Sequence, residues 1–270
     1  MSRSRWTTAA SAGASAGGAV SSGNAGLDAM VRGGLERGTS ALLLGAAGVG
    51  KSSLALAYAV AAAGRGERVV IYTFDEGRGT MVARAASLGL PLQAALDTGL
   101  VSVRQVDPAE LSPGEFASLV RAAVEVDGAR MVVIDSLNGY LNAMPDERFL
   151  VLQMHELLSY LNQAGVLSIL VLGQHGLLGQ MKSPIDVSYL SDTVLVLRYF
   201  EFESAVLRAI SVVKKRTSEH ERTIREFRLG PQGLVIGPPL KGFRGVFTGT
   251  PEYTGAGSPL MAGDEPDGGR

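Results

Sequence analysis

The sequence predicts an α/β domain: a mostly parallel central sheet flanked by helices, extended at one edge by antiparallel strands. Three observations predict it. The chain is 46% hydrophobic but only 6% aromatic, so its core is built from Val, Leu, Ile and Ala, as buried parallel sheets are. Up to about residue 172, short apolar runs alternate with helical stretches, the pattern of βαβ units. Beyond residue 192 the strand-like runs follow one another without helices, as in a meander.

The elements follow in order. Gly33-Gly34 and Arg37-Gly38-Thr39 are turn signals, and order is expected to begin near Gly26-Leu27-Asp28. Ala41-Leu42-Leu43-Leu44 reads as the first strand and Ser52 to Ala63 as a helix buried on most sides. Between them, Gly45-Ala46-Ala47-Gly48-Val49-Gly50-Lys51-Ser52 fits G-x-x-x-x-G-K-[ST], the Walker A phosphate-binding loop, in the strand–loop–helix context that loop requires. Glycines let the backbone turn its N–H groups into one concavity, and the following helix aims its positive end at the same point. Lys51 is placed to reach the β- and γ-phosphates of a nucleotide and the Ser52 hydroxyl to ligate Mg²⁺, with Ser53 completing the cradle.

Arg68 to Phe74 reads as a strand ending in the acidic pair Asp75-Glu76, at the strand end where open parallel sheets bind ligands. A helix over Thr80 to Leu88 and a strand over Leu100 to Val106 follow. Ser112-Pro113-Gly114-Glu115 has capping-box spacing with Pro at the first helical position, opening a helix to about Val126. Met131 to Ser136 is an apolar strand ending in Asp135, the expected Mg²⁺-side carboxylate, binding the ion directly or through water. Arg148 to Leu161 is an amphipathic helix, and Val166 to Leu172 a strand leading into Gly173-Gln174-His175-Gly176. A loop spans residues 176–191, and strands are expected at Thr193 to Tyr199, Leu207 to Val213, Thr223 to Leu229 and Leu234 to Ile236.

Composition bounds the function. A formal net charge of −1 gives no global attraction to nucleic acid or to an anionic membrane. No apolar run approaches the roughly 18–20 residues that span a bilayer. With no Cys there are no disulfides or thiolate metal sites, which fits a cytoplasmic location. His155, His175 and His220 have no partners at zinc-ligand spacing. Residues 1–22, rich in Ser, Ala and Gly, lack the apolar core of a secretory signal and read as a disordered tail, with an organelle-targeting segment as the alternative. A second such tail is expected over 254–270, leaving 23–253 as the domain.

These motifs together resemble the RecA superfamily of ATPases, specifically the KaiC-like clock-protein family. The likeness rests on Leu27-Asp28 before Gly33-Gly34, the Gly45–Ser52 loop, Asp75-Glu76 and Ile134-Asp135-Ser136-Leu137. It continues through Asp192-Thr193, Lys214-Lys215-Arg216 and Ile224-Arg225-Glu226-Phe227. The resemblance implies one RecA-like domain, closer to the second of the family's two tandem domains. It implies ATP and Mg²⁺ as ligands, ATP hydrolysis, and a homohexameric ring with each ATP between neighbours. It further implies a signalling or regulatory role, and protein partners to match. Lys214 and Arg216 would contact the γ-phosphate in trans. The family's catalytic Glu-Glu pair is Asp75-Glu76 here; the shorter Asp75 makes Glu76 the preferred water-activating acid. Gln174 occupies the position of a polar γ-phosphate sensor. Ser188 and Tyr189 stand where the family's second domain is autophosphorylated, so autokinase activity at Ser188 is a further expectation. The alternatives are a DNA-binding ATPase of the RecA/RadA/DnaB group and a nucleotide-binding scaffold with little hydrolysis. The segments matching DNA-binding loops, Asn142–Phe149 and Gly176–Ser191, are not basic, which weighs against DNA as a partner.

Overall fold

The computed structural model describes residues 18–107, 109–142, 147–174, 188–247, 251–255 and 260–261. A hairpin of β1 (Ala19–Val20) and β2 (Leu35–Glu36) encloses α1 (Ala25–Met30). Next come β3 (Ser40–Ala46), α2 (Lys51–Gly64), β4 (Val69–Thr73), α3 (Arg78–Ser87), α4 (Leu92–Asp97), β5 (Val101–Gln105) and α5 (Pro113–Glu125). They are followed by β6 (Met131–Asp135), α6 (Leu137–Asn142), α7 (Glu147–Gln163) and β7 (Leu167–Gln174). A 3-10 turn (Ser188–Leu190) then leads into β8 (Thr193–Phe202), β9 (Ala205–Lys215), β10 (Arg225–Gly230), β11 (Gly233–Pro239), β12 (Phe243–Arg244) and β13 (Glu252–Tyr253).

The main sheet has nine strands in the order β11-β10-β9-β8-β3-β7-β6-β4-β5. From β8 to β5 every pairing is parallel, and from β8 outward through β9, β10 and β11 every pairing is antiparallel. This is the predicted parallel sheet with its antiparallel edge, in the RecA-like P-loop arrangement. Both faces of its inner strands β3, β7, β6 and β4 are buried, which is why those strands are mostly apolar runs. Successive residues alternate between two cores: Ala41, Leu43, Met131 and Val133 face one, while Leu42, Val132 and Ile134 face the other. The first core takes in α2, whose Leu54, Ala55, Tyr58, Ala59 and Ala62 are all buried, as its small-residue composition requires. The second is closed by Phe116 and Val120 of α5 and Met154, Leu157, Leu158 and Leu161 of α7. The capping box on α5 forms as the spacing predicts: the Glu115 amide donates to Ser112 Oγ, and the Ser112 amide donates to Glu115 Oε2.

Fastened residues lie on both sides of the 23–253 span. On the N-terminal side, β1 pairs with β2, and the Ser22 amide and hydroxyl both donate to Asp28 Oδ1 at 2.8 Å. Asp28 is thus a structural acceptor that fastens residues the composition assigned to a tail. On the C-terminal side, the Met261 amide donates to the buried Glu226, and Arg228 donates to the Met261 carbonyl. A Ser/Gly/Ala-rich sequence gives no sign of such fastening, because the acceptors lie elsewhere in the chain. The short helices α1, α4 and α6 were also unforeseen; six residues are too few to show a 3.6-residue period. The antiparallel edge has its own small core, where Phe200, Phe202, Phe243 and Tyr253 meet with ring centroids 5.0–5.6 Å apart.

Candidate active site

Four parallel strands deliver the site. The phosphate loop leaves β3, and in register beside it stand Gln174 at the end of β7, Asp135 at the end of β6, and Asp75-Glu76 just beyond β4. The loop's turns need glycine: Gly48 and Gly50 have φ of +73° and +112°, the left-handed region that side chains rarely adopt. Gly50 also lies against Phe227 and Leu229 of β10, where a Cβ would come within 2.7 Å and 2.8 Å of their side chains. The antiparallel edge therefore buttresses the loop. Lys51 opens α2 and is 8% exposed. Its Nζ donates to the Ala46 carbonyl at 2.7 Å, and burial pulls its pKa down to about 8 despite the Asp135 charge nearby.

The loop, the three carboxylates and Gln174 line one cleft of about 680 Å³. Asp135 is hydrogen-bonded to Ser52. Burial pushes its carboxyl up, and Ser52, Arg84 and Lys51 oppose that rise. A hydroxyl and a carboxylate are hard oxygen donors, the set Mg²⁺ takes alongside water and substrate phosphates, so the residues present fit that ion. Asp75 Oδ2 accepts from Ser136 Oγ at 2.8 Å. Glu76 is gripped by Arg84 through two bonds, Nε–Oε1 at 3.0 Å and Nη2–Oε2 at 2.6 Å, while Arg84 Nη1 donates to Ser53 Oγ at 3.1 Å. Asn138 pins the strand end before Gln174: its Oδ1 accepts from the Gly173 amide and its Nδ2 donates to the Gly173 carbonyl.

Lys51 carries a pH prediction. A lysine of pKa about 8 is mostly charged at pH 7 and mostly neutral at pH 9, and only the charged form neutralises phosphate. Binding at pH 9 must first reprotonate it, so affinity for a fluorescent ADP is expected to fall about tenfold from pH 7 to 9. The same titration on Lys51→Met is expected to be flat; an equal fall there would assign the effect to another group.

Lys214 and Arg216 are not in this cleft. The pairings Lys215↔Thr193 and Thr193↔Ala41 put them level with the start of β3, while the phosphate loop leaves its far end. Five residues of strand separate the two levels, roughly 17 Å. Neither basic group serves the phosphate loop of its own chain. Arg216 is 53% exposed on its side chain, donates to the Tyr189 carbonyl at 2.9 Å and stands 3.7 Å from Asp192. Between them, Lys215 is buried and gives its ammonium to Glu36 and to the Val31 and Gly34 carbonyls. It anchors the strand end that carries its two neighbours, of which Arg216 is exposed.

A family model for the ATPase KaiC matches residues 20–241. The chain belongs to the KaiC ATPase family. The circadian clock protein KaiC3 of Synechocystis sp. is 26% identical over 238 residues, covering 87% of this chain and 46% of that protein. The circadian clock oscillator protein KaiC of Thermostichus vulcanus is 26% identical over 233 residues, 86% of this chain and 45% of that protein. Its namesake in Synechococcus elongatus is 24% identical over 238 residues, with the same coverage. The chain thus spans about half the length of the relatives it matches and holds one KaiC domain.

Within this KaiC domain, Arg84, Ser136 and Asn138 line the cleft although the sequence assigns none of them a site role. Ser136 and Asn138 sit within three residues of Asp135, so proximity to that acid was the available signal. Arg84 had none beyond its position on the helix that follows the acidic pair. Among the described residues, no group of three His, Cys, Asp or Glu is placed to hold a metal, and no helix is long and apolar enough to cross a membrane. His175 and most of the loop at 176–191, with Lys182, lie outside the described residues, as does part of Asn142–Phe149.

Proposed function

We propose that this KaiC-family domain binds ATP with Mg²⁺ and hydrolyses it at sites shared between copies of the chain. The copies assemble into a ring, of six by family resemblance, whose nucleotide state regulates partner proteins. The observation that carries the reading is a separation. The phosphate loop, Ser52, Asp135 and Asp75-Glu76 share one cleft, whereas Lys214 and Arg216 lie toward the other end of the sheet. Those basic groups meet a γ-phosphate only if it belongs to a neighbour.

In this reading the loop amides and Lys51 hold the phosphates. Ser52 and Asp135 hold Mg²⁺, which supplies charge neutralisation at the phosphates when bound. Glu76 takes the proton of the attacking water, with Asp75, oriented by Ser136, as the second acid. The water oxygen bonds to the γ-phosphorus as the bond to the bridging oxygen breaks, and that electron pair leaves on ADP. Gln174 orients the water or the γ-phosphate. The neighbouring copy's Lys214 and Arg216 offset the charge of the transition state, a contribution of roughly 10³–10⁵ in rate for such contacts.

Native mass measurement with and without ATP–Mg²⁺, paired with phosphate release, tests this reading. A nucleotide-dependent ring that releases phosphate is expected; a monomer unaffected by ATP sinks it. A phosphopeptide map of the same ATP-treated sample tests the finer proposal of autokinase activity. Phosphate on Ser188 or Tyr189 is its expected mark, and an unmodified map removes it.

A further inference from the structure

Arg84 has no part in the mechanism above, yet it lines the cleft. It lies near the end of α3 and its side chain runs back toward the helix start, as long helical side chains do. There it meets Glu76, which immediately precedes the cap residue Gly77. The two-bond fork engages both oxygens of the carboxylate that is to receive the proton of water. The third bond, to Ser53 Oγ, places the guanidinium at the first turn of α2. That turn is already positive, from the helix dipole and from Lys51. A second cation there is stabilised by Glu76 and by any anion that enters the loop. The pair is only partly buried, with side-chain exposures of 25% and 23%, so the guanidinium is open to the cleft it lines.

We propose that Arg84 is shared between Glu76 and the nucleotide's phosphates. Phosphate oxygens compete with Glu76 for the guanidinium, and as ATP draws Arg84 away the carboxylate is released to act on water. Arg84 thus binds substrate in the chain that carries the phosphate loop and couples occupancy of the loop to the readiness of its base. The inference rests on the nucleotide-site reading above.

The test is a double-mutant cycle on binding of the non-hydrolysable imido analogue of ATP with Mg²⁺, read by displacement of a fluorescent nucleotide. Glu76→Gln frees Arg84 and is expected to tighten binding about tenfold, while Arg84→Gln loosens it about tenfold. The double variant is expected to bind like Arg84→Gln alone, because the gain acts only through Arg84. A merely structural ion pair gives no gain in Glu76→Gln. Simple removal of a negative charge gives a gain that persists in the Arg84→Gln background. Either result overturns the proposal. Should Arg84→Gln not fold, Arg84→Lys in the same cycle keeps the charge but not the fork, and the gain from Glu76→Gln is expected to shrink to about threefold or less. If the unmutated protein binds neither the analogue nor ADP, the nucleotide-site reading itself falls, and the proposal with it.

Discussion

Replacing Lys51 with Met is expected to lower ATP turnover by at least about 10²-fold while leaving the fold as stable as before, or more so. The loss follows from removing the charge proposed to meet the β- and γ-phosphates, and single preorganised groups of this kind contribute about 10²–10³. The stability follows from what Lys51 does for the protein by itself. Its ammonium is buried, with one hydrogen-bond acceptor among the described residues, the Ala46 carbonyl. Burial has drawn its pKa down to about 8, which means that the folded chain resists carrying the charge there. Below pH 8 that resistance opposes folding in full, and it weakens as pH rises above 8. Methionine fills a similar volume without a charge to desolvate. Its one cost is the Ala46 carbonyl, which loses its donor. Phosphate release at saturating ATP, together with thermal unfolding at pH 7, checks both halves. Wild-type turnover in Lys51→Met would remove the loop from the chemistry. A large fall in melting temperature would show that Lys51 is a structural cation instead.

The same residue shows what a sequence carries legibly. Walker A spacing, Asp135 at a strand end and Asp75-Glu76 at another are local patterns, and a parallel sheet brings strand ends to one edge whatever the loops between them do. The central architecture was legible for a related reason: strands buried on both faces must be continuous apolar runs, and Met131 to Ile134 leaves little choice. What was not legible depends on distance in the chain. Arg84 reaches Glu76 across a helix and Ser53 across a strand order that the sequence does not state. Gly50 is held by Phe227 and Leu229, 177 and 179 residues away. Ser22 and Met261 are fastened by acceptors on Asp28 and Glu226, contacts that a composition typical of tails does not reveal. Lys215 is the sharpest case. In Lys214-Lys215-Arg216 three cations look alike, but the fold buries the middle one on Glu36, while Lys214 is half-buried and Arg216 exposed.

The placement of Arg216 away from its own phosphate loop makes sharing of the site between copies testable by mixing two dead proteins. Glu76→Gln lacks the proposed proton acceptor of its own cleft but keeps Arg216. Arg216→Ala lacks the projecting cation but keeps its cleft. Each alone is expected to be inactive, since every site in a uniform ring has one defect. In rings assembled from an equal mixture, a site is intact whenever an Arg216→Ala copy supplies the cleft and a Glu76→Gln neighbour supplies the cation. With random placement that is one half times one half, so about a quarter of the sites are whole, whatever the ring size. Phosphate release is therefore expected to recover toward a quarter of wild type in the mixture, and only after the two proteins have exchanged subunits. If Arg216 acted at its own chain's phosphate, every chain would carry a defect at its own site, and mixing would restore nothing. The geometry already opposes that outcome: Arg216 stands level with the start of β3, beside Asp192 and Tyr189, roughly 17 Å of strand from the phosphate loop of its own chain. No rotamer of an arginine spans that gap, so activity that depends on Arg216 requires a second copy.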